Sequence, residues 1–236
     1  MSRIIYISRS VGLAFGLLLF CSVVATPAMA ATIIYNFTGN VTNVGNLLSP
    51  PAVPSPQFTA GPPGSLMTGT MAVNTTDGNM GNSTLGSYQI QSLSVTIGGY
   101  TASVGPTGTV NIRNGNGPGV AADRFEVSAP QSGNLTGDDI NFLLPRLFTI
   151  NLRGPSSIFG SDALPSSVPS LSAFTNANQF RLQFGPTNGA NARVVGQLTS
   201  LTAVPLPPAV ILFGVGLVAL IGLGAGGLRN LRLPQA

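Results

Sequence analysis

The sequence predicts an all-β protein: an antiparallel β-sandwich with jelly-roll-like strand order, an N-terminal signal helix and a C-terminal transmembrane helix. Apolar and polar residues alternate through most of 31–203, Gly, Pro and Asn interrupt this alternation at short intervals, and both chain ends are apolar runs. A period of two is the pattern of strands with one buried face, and short strands separated by turn residues favour a sandwich. The chain therefore divides into a signal peptide (1–30), an ectodomain (31–203) and a sorting segment (204–236).

The N-terminal segment has the three parts of a secretory signal peptide. Arg3 and Arg9 supply its positive start, an apolar stretch follows, and Ala28 and Ala30 form a small-x-small cleavage site. This pattern predicts export through the Sec machinery and removal of residues 1–30. An uncleaved membrane anchor is the alternative that the cleavage site disfavours.

Nine apolar residues on three alternating stretches are the predicted core: Leu93, Val95, Ile97, Phe148, Ile150, Leu152, Phe180, Leu182 and Phe184. The alternation changes phase between Ile90 and Leu93, which predicts a β-bulge. Gly98 and Gly99 then predict a two-residue hairpin turn. Two Pro-containing interruptions, at 49–64 and 154–178, are expected to be surface loops of one domain.

Charge and composition exclude several classes of function. The chain has no His and no Lys, and its single Cys lies in the signal peptide. Four of the ten Arg lie in the terminal segments, and the remaining six equal the six acidic residues of the ectodomain. An ectodomain without net charge gives no basic patch for nucleic acid. Without His or Cys, the mature chain lacks the usual catalytic triads and zinc sites.

The remaining motifs are weak. Asp138 and Asp139 are adjacent, so on a strand they point to opposite faces and do not flank one glycosidic bond. Asp77-Gly78-Asn79 has the start of a calcium loop without its later ligands. Glycines at 115–119 surround a proline and precede no helix, which indicates a turn. We therefore predict no catalytic residue, no cofactor, no metal and no enzymatic activity.

The C-terminal segment combines a Pro motif (204–208), an uncharged apolar run (209–228) and a basic end (229–236). At about 1.5 Å per residue, a helix over the run is about 30 Å long, which matches the hydrocarbon core of a bilayer. The prolines hold the preceding chain in extended geometry. Arg229 and Arg232 follow the run and direct the C terminus to the cytoplasm.

This segment resembles the PEP-CTERM sorting signal of exopolysaccharide-producing Gram-negative bacteria. The Pro motif matches the variant Val-Pro-Leu-Pro and consists of Val204, Pro205, Leu206 and Pro207. Leu212-Phe213-Gly214, followed by Gly216-Leu217, matches the start of the helix in these signals. The resemblance implies an exosortase, a membrane-embedded cysteine transpeptidase-like enzyme, that acts near the Pro motif after a transient stay in the inner membrane.

Three interpretations of the ectodomain follow. The first is a non-catalytic structural protein of the cell surface or extracellular matrix, the destination that the resemblance implies. The second is a carbohydrate-binding module for exopolysaccharide, which we rank lower because the chain has no Trp and most of its Phe and Tyr fall at core positions. The third is a hydrolase, which the missing nucleophile and base disfavour.

Overall fold

The computed structural model describes residues 32–52, 57–78, 84–115, 122–130, 135–185 and 190–205. Within these ranges the chain forms β-strands and short 3-10 turns, so the all-β prediction is confirmed. The strands are β1 (Thr32–Val44), β2 (Leu66–Asp77), β3 (Leu85–Ile97), β4 (Tyr100–Val104), β5 (Thr109–Arg113), β6 (Asp123–Pro130), β7 (Thr136–Gly137), β8 (Pro145–Gly154), β9 (Ala177–Phe184) and β10 (Arg193–Pro205). The 3-10 turns are Asn46–Leu48, Leu171–Ala173 and Ala190–Ala192.

The sheet is a closed antiparallel barrel, which corrects the predicted β-sandwich. Eight strands follow one another in the order β2-β1-β10-β9-β8-β6-β5-β3, and β3 pairs with β2 to close the ring. Closure is possible because β3 is 13 residues long. One edge of β3 pairs with β2, while its other edge pairs first with β5 and then with β4. The short strand β7 extends β4 outward.

The strand pattern read from the sequence is otherwise confirmed. All nine predicted core residues are buried. The bulge in β3 lies where the pairing with β2 shifts from Ser92 to Ile90. Gly98 and Gly99 join β3 to β4, and Ile97 pairs with Tyr100 directly across that turn. Gly98 has a φ of 58°, which glycine adopts without strain.

Phenylalanine rings fill the barrel interior opposite glycines. The ring of Phe37 covers Gly69, its partner on the neighbouring strand. The ring of Phe180 covers its cross-strand partner Gly196 in the same way. A Cβ atom on either glycine would overlap the ring that covers it. The absence of these two side chains therefore creates the space in which the rings pack.

The two ends of the barrel differ in what they carry. We call the end that holds Thr32 and Pro205 the terminal end, because the first and last described residues lie there. Pro205 pairs with Ile33, the residue after Thr32. We call the opposite end, where Leu66 of β2 lies near Ile97 of β3, the distal end.

The loop between β8 and β9 covers the terminal end. It buries Phe159 and Phe174, whose ring centroids lie 6.0 Å apart. Two tyrosines of the barrel bind its backbone: Tyr35 Oη donates to the carbonyl of Pro165 at 2.7 Å, and Tyr88 Oη donates to that of Asp162 at 3.0 Å. The loop thus shields this end of the core from water.

The loop between β1 and β2 covers the distal end. Its Leu48 and Phe58 are buried, and the Phe58 ring lies 5.6 Å from that of Tyr100 and 5.9 Å from that of Phe184. Both loops were expected at the surface. Each also contributes apolar side chains to the core, which explains how an open-ended barrel excludes water.

The predicted signal helix and the predicted transmembrane helix, including the apolar run 209–228, lie outside the described residues. None of the helical segments within the described ranges has the length and apolarity that a membrane crossing requires. The strand β10 continues two residues past the predicted ectodomain boundary at residue 203.

Replacing Phe180 by Ala is expected to lower the free energy of unfolding by about 3–5 kcal/mol, because it leaves a cavity beside Gly39 and Gly196, which have no side chains to fill it. Urea denaturation of the protein measures this change. Phe142→Ala, at an exposed ring, is the matched control, and its effect should stay within about 0.5 kcal/mol. Equal effects of the two variants would contradict the packing described for Phe180.

The stability of the barrel should fall at alkaline pH. Burial, and to a smaller extent the neighbouring Tyr88, raises the pKa of Tyr35 well above its usual value. A raised pKa stabilises the fold below about pH 10, the unfolded value, and this contribution is lost as the pH rises further. Tyr35→Phe should lose about 1 kcal/mol at pH 7 with its hydrogen bond, yet decline less between pH 9 and 11. Urea denaturation of the parent protein and of Tyr35→Phe between pH 9 and 11 tests this prediction. Equal losses of unfolding free energy in the two proteins would contradict it.

Candidate functional site

Asp123, the buried carboxylate of the barrel, has a structural role. It is fully buried at the start of β6. Its Oδ1 accepts the backbone N–H of Gly115, and its Oδ2 accepts that of Phe159 at 2.6 Å. Two backbone donors occupy the two oxygens, so Asp123 joins the β5–β6 connection to the loop that covers the terminal end.

In the part of the chain that is described, no group of three or more acidic residues is placed to hold a metal ion. Asp139 Oδ2 accepts the backbone N–H of Phe142 at 3.2 Å, as expected of a turn residue. The backbone carbonyl of Asp138 accepts the hydroxyl of Tyr100 at 2.9 Å. Asp77 is the last residue of β2, and Asn79 of the calcium-like motif lies outside the described residues.

The start of the predicted sorting motif belongs to the barrel. Val204 and Pro205 end β10 and pair with Ile34 and Ile33 of β1. Val204 is 47% exposed. The motif therefore begins in extended backbone, as predicted, but within a strand. The other predicted site residues lie outside the described ranges. They are Ala28 and Ala30 of the cleavage site, Leu206 and Pro207 of the sorting motif, and Arg229 and Arg232.

An exposed aromatic ring projects from a strained turn at the distal end. Ile140 and Leu143 exchange two backbone hydrogen bonds of 3.0 Å around Asn141 and Phe142. These two central residues have φ values of 53° and 62°, as in a type I′ turn, for which Asn-Gly is the preferred pair. Phe142 thus occupies a glycine position, and its side chain is 94% exposed.

Two rows of polar side chains cross the outer wall formed by β4, β3, β2, β1 and β10. We call this surface the hydroxyl wall. Strand register aligns the first row, which consists of Thr101, Thr96, Thr68, Thr38 and Ser200. It also aligns the second row, which consists of Ser103, Ser94, Thr70, Asn36 and Thr202. Neighbours are about 4.8 Å apart across strands and about 6.7 Å apart along them.

An open groove of about 510 Å³ follows the hydroxyl wall, and no charged side chain lines it. Thr96 and Thr101 bond to each other at 3.0 Å. The hydroxyls of Thr68, Thr70 and Ser94 have no hydrogen-bond partner within the described ranges. Each of these hydroxyls can both donate and accept, so the centre of the groove has hydrogen-bonding capacity for a polar, uncharged ligand.

Neither the hydroxyl wall nor the Phe142 turn was predicted. The sequence does show Thr68-x-Thr70, Ser94-x-Thr96, Thr101-x-Ser103 and Ser200-x-Thr202 as period-two polar pairs. Only the strand order joins them into rows. Comparisons of the chain with protein-family models, with curated proteins and with solved structures found no match. Function is therefore inferred from the residues of the chain itself.

Phe142→Gly is expected to raise the free energy of unfolding by about 1 kcal/mol, because glycine adopts positive φ without the cost that a Cβ imposes. Phe142→Ala removes the ring and keeps the Cβ, so it separates the two effects and should change stability little. Thermal and urea unfolding measure both variants. A loss of stability in Phe142→Gly would mean that the ring makes stabilising contacts.

Proposed function

We propose that the chain is an exported protein of the cell surface or extracellular matrix, with a non-catalytic structural barrel and a C-terminal PEP-CTERM-like sorting signal. The observation that carries this proposal is the ordered set of Val204-Pro205-Leu206-Pro207, the apolar run and Arg229 with Arg232, at the opposite end of the chain from a signal peptide. Sec machinery and an exosortase are the partners, and the inner membrane is a transient location.

The position of the strand ends supports this proposal. β1 and β10 pair at the terminal end, so a leader before Thr32 and a tail after Pro205 both begin there. A chain that folds while its tail is held at a membrane needs a domain whose remaining surface stays free. The distal end, at the opposite end of the barrel from Ile33 and Pro205, fulfils that requirement.

Processing should remove the tail without opening the barrel. Val204 and Pro205 are paired strand residues, whereas a protease needs extended backbone that is free of such pairing. We therefore expect the mature C terminus between Pro205 and Ala209 in mass spectra of the protein from its native host. The same protein from cells without exosortase is the control and should keep its tail. A chain that ends at Ala236 in cells with an active exosortase would reduce the segment to an anchor.

Carbohydrate binding is the second candidate function. The groove of the hydroxyl wall favours it, since uncharged hydroxyls without partners suit the hydroxyls of sugars. The exposed ring of Phe142 offers an apolar face on which a sugar ring stacks. Retention of the exported protein on an immobilised polysaccharide supports this candidate, and passage through neutral and acidic matrices alike would reject it.

A further inference from the structure

Three arginines are cross-strand neighbours on β5, β6 and β8. These strands form the side of the barrel that faces away from the hydroxyl wall. Arg113 of β5 pairs with Arg124 of β6, and Arg124 pairs with Arg153 of β8. All three occupy outward positions, since the alternating neighbours Ile112, Phe125 and Leu152 are buried. We call this set the arginine row. With strands about 4.8 Å apart, it spans about 10 Å.

The arginine row has fewer acidic partners than positive charges. Glu126 Oε1 lies 3.4 Å from Arg124 Nη1, in the one salt bridge found among the described residues. The side chains of Arg113 and Arg153 make no ion pair and no hydrogen bond there, and the Nε atoms of all three arginines are buried without a partner. Like charges directly opposite on neighbouring strands destabilise a sheet. The row therefore lowers the stability of the free barrel.

We propose that the arginine row binds the carboxylate groups of an acidic polysaccharide. This inference rests on the carbohydrate-binding candidate and names its ligand class and its site. A guanidinium group presents a fork of N–H donors that matches a carboxylate, and the terminal Nη donors of Arg113 and Arg153 have no partner among the described residues. Bound carboxylates would also offset the repulsion between the three positive charges.

The surroundings of the row favour a sugar polymer over other anions. On the same three strands, the next aligned row toward the distal end holds Asn111, Glu126 and Asn151, and the one after it holds Thr109, Ser128 and Thr149, which pairs with Arg181 of β9. Amides and hydroxyls suit the hydroxyls of sugar rings. The exposed large apolar residues of the described chain lie elsewhere, so this wall offers nothing to insert into a lipid layer or to stack on bases.

The test compares the exported protein with two double variants on polygalacturonate and on neutral dextran. Arg113→Gln/Arg153→Gln removes the two arginines of the row that make no ion pair. Arg146→Gln/Arg193→Gln removes the same charge near the distal end and is the matched control. We expect the exported protein to bind polygalacturonate, more weakly at high salt, and to bind dextran far less. The first variant should bind at least about tenfold more weakly, and the control within about twofold.

Stability separates loss of a site from loss of the fold. Because the first variant relieves like-charge repulsion, its free energy of unfolding should equal or exceed that of the parent protein. If that variant is less stable than the parent protein, Arg113→Lys/Arg153→Lys is tested in its place. The lysine variant keeps the positive charge but loses the forked geometry, so it should bind polygalacturonate at an intermediate level.

The remaining outcomes overturn the proposal in distinguishable ways. If Thr68→Val/Thr70→Val or Phe142→Ala abolishes binding while the arginine variant retains it, the carbohydrate candidate stands and the site is wrong. Equal binding to dextran would make the ligand class wrong. Binding to phosphatidylglycerol vesicles without binding to polygalacturonate would assign the row to lipid headgroups. Binding to none of these matrices would reject both the inference and the carbohydrate candidate.

Discussion

The structure depends on the fit of aromatic rings to glycines inside a closed barrel. An eight-stranded barrel has an interior just wide enough for side chains to fill. Phe37 and Phe180 fit because their cross-strand partners, Gly69 and Gly196, carry no side chain. A slip by one residue would reverse the faces of a strand and place these rings outside. The Phe–Gly pairs therefore fix the register of β1 with β2 and of β9 with β10, and that register aligns the side chains on the outer walls.

Closing the sheet leaves two open ends, and the chain closes them with its two longest described connections. Each one places at least one aromatic ring over the core. Tyrosine hydroxyls also bond to carbonyls outside the strands: Tyr35 and Tyr88 at the terminal end, and Tyr100 at the distal end. These bonds satisfy hydroxyls that would otherwise be buried without partners. Proline-containing segments without regular structure thus contribute to the core, which period-two alternation alone does not reveal.

The strands, the core residues, the bulge in β3 and the β3–β4 hairpin could be predicted because each is determined by residues that are close together in the sequence. Closure was not predictable from alternation, since strands of a sandwich and of a barrel both point every second residue inward. The turn at Phe142 was hidden because phenylalanine stands where Asn-Gly is expected. The arginine row was not predicted because the ectodomain has six arginines and six acidic residues, and this balance of charge does not show where each residue lies. Strand order brings Arg113, Arg124 and Arg153 together, although 40 residues separate the first from the last.

The position of the arginine row connects the two proposals. Arg113 is the last residue of β5, and Arg153 precedes the last residue of β8, so the row lies beside the terminal end of the barrel. The hydroxyl rows begin near the distal end, at the hairpin that joins β3 and β4, and reach Thr202 of β10, three residues before Pro205. The arginine row and the β10 end of the hydroxyl rows thus both lie toward the terminal end, where the proposed sorting segment begins. If the tail is processed as proposed, its removal would free both surfaces for a bulky polymer, so we expect processing to precede the binding of acidic polysaccharide.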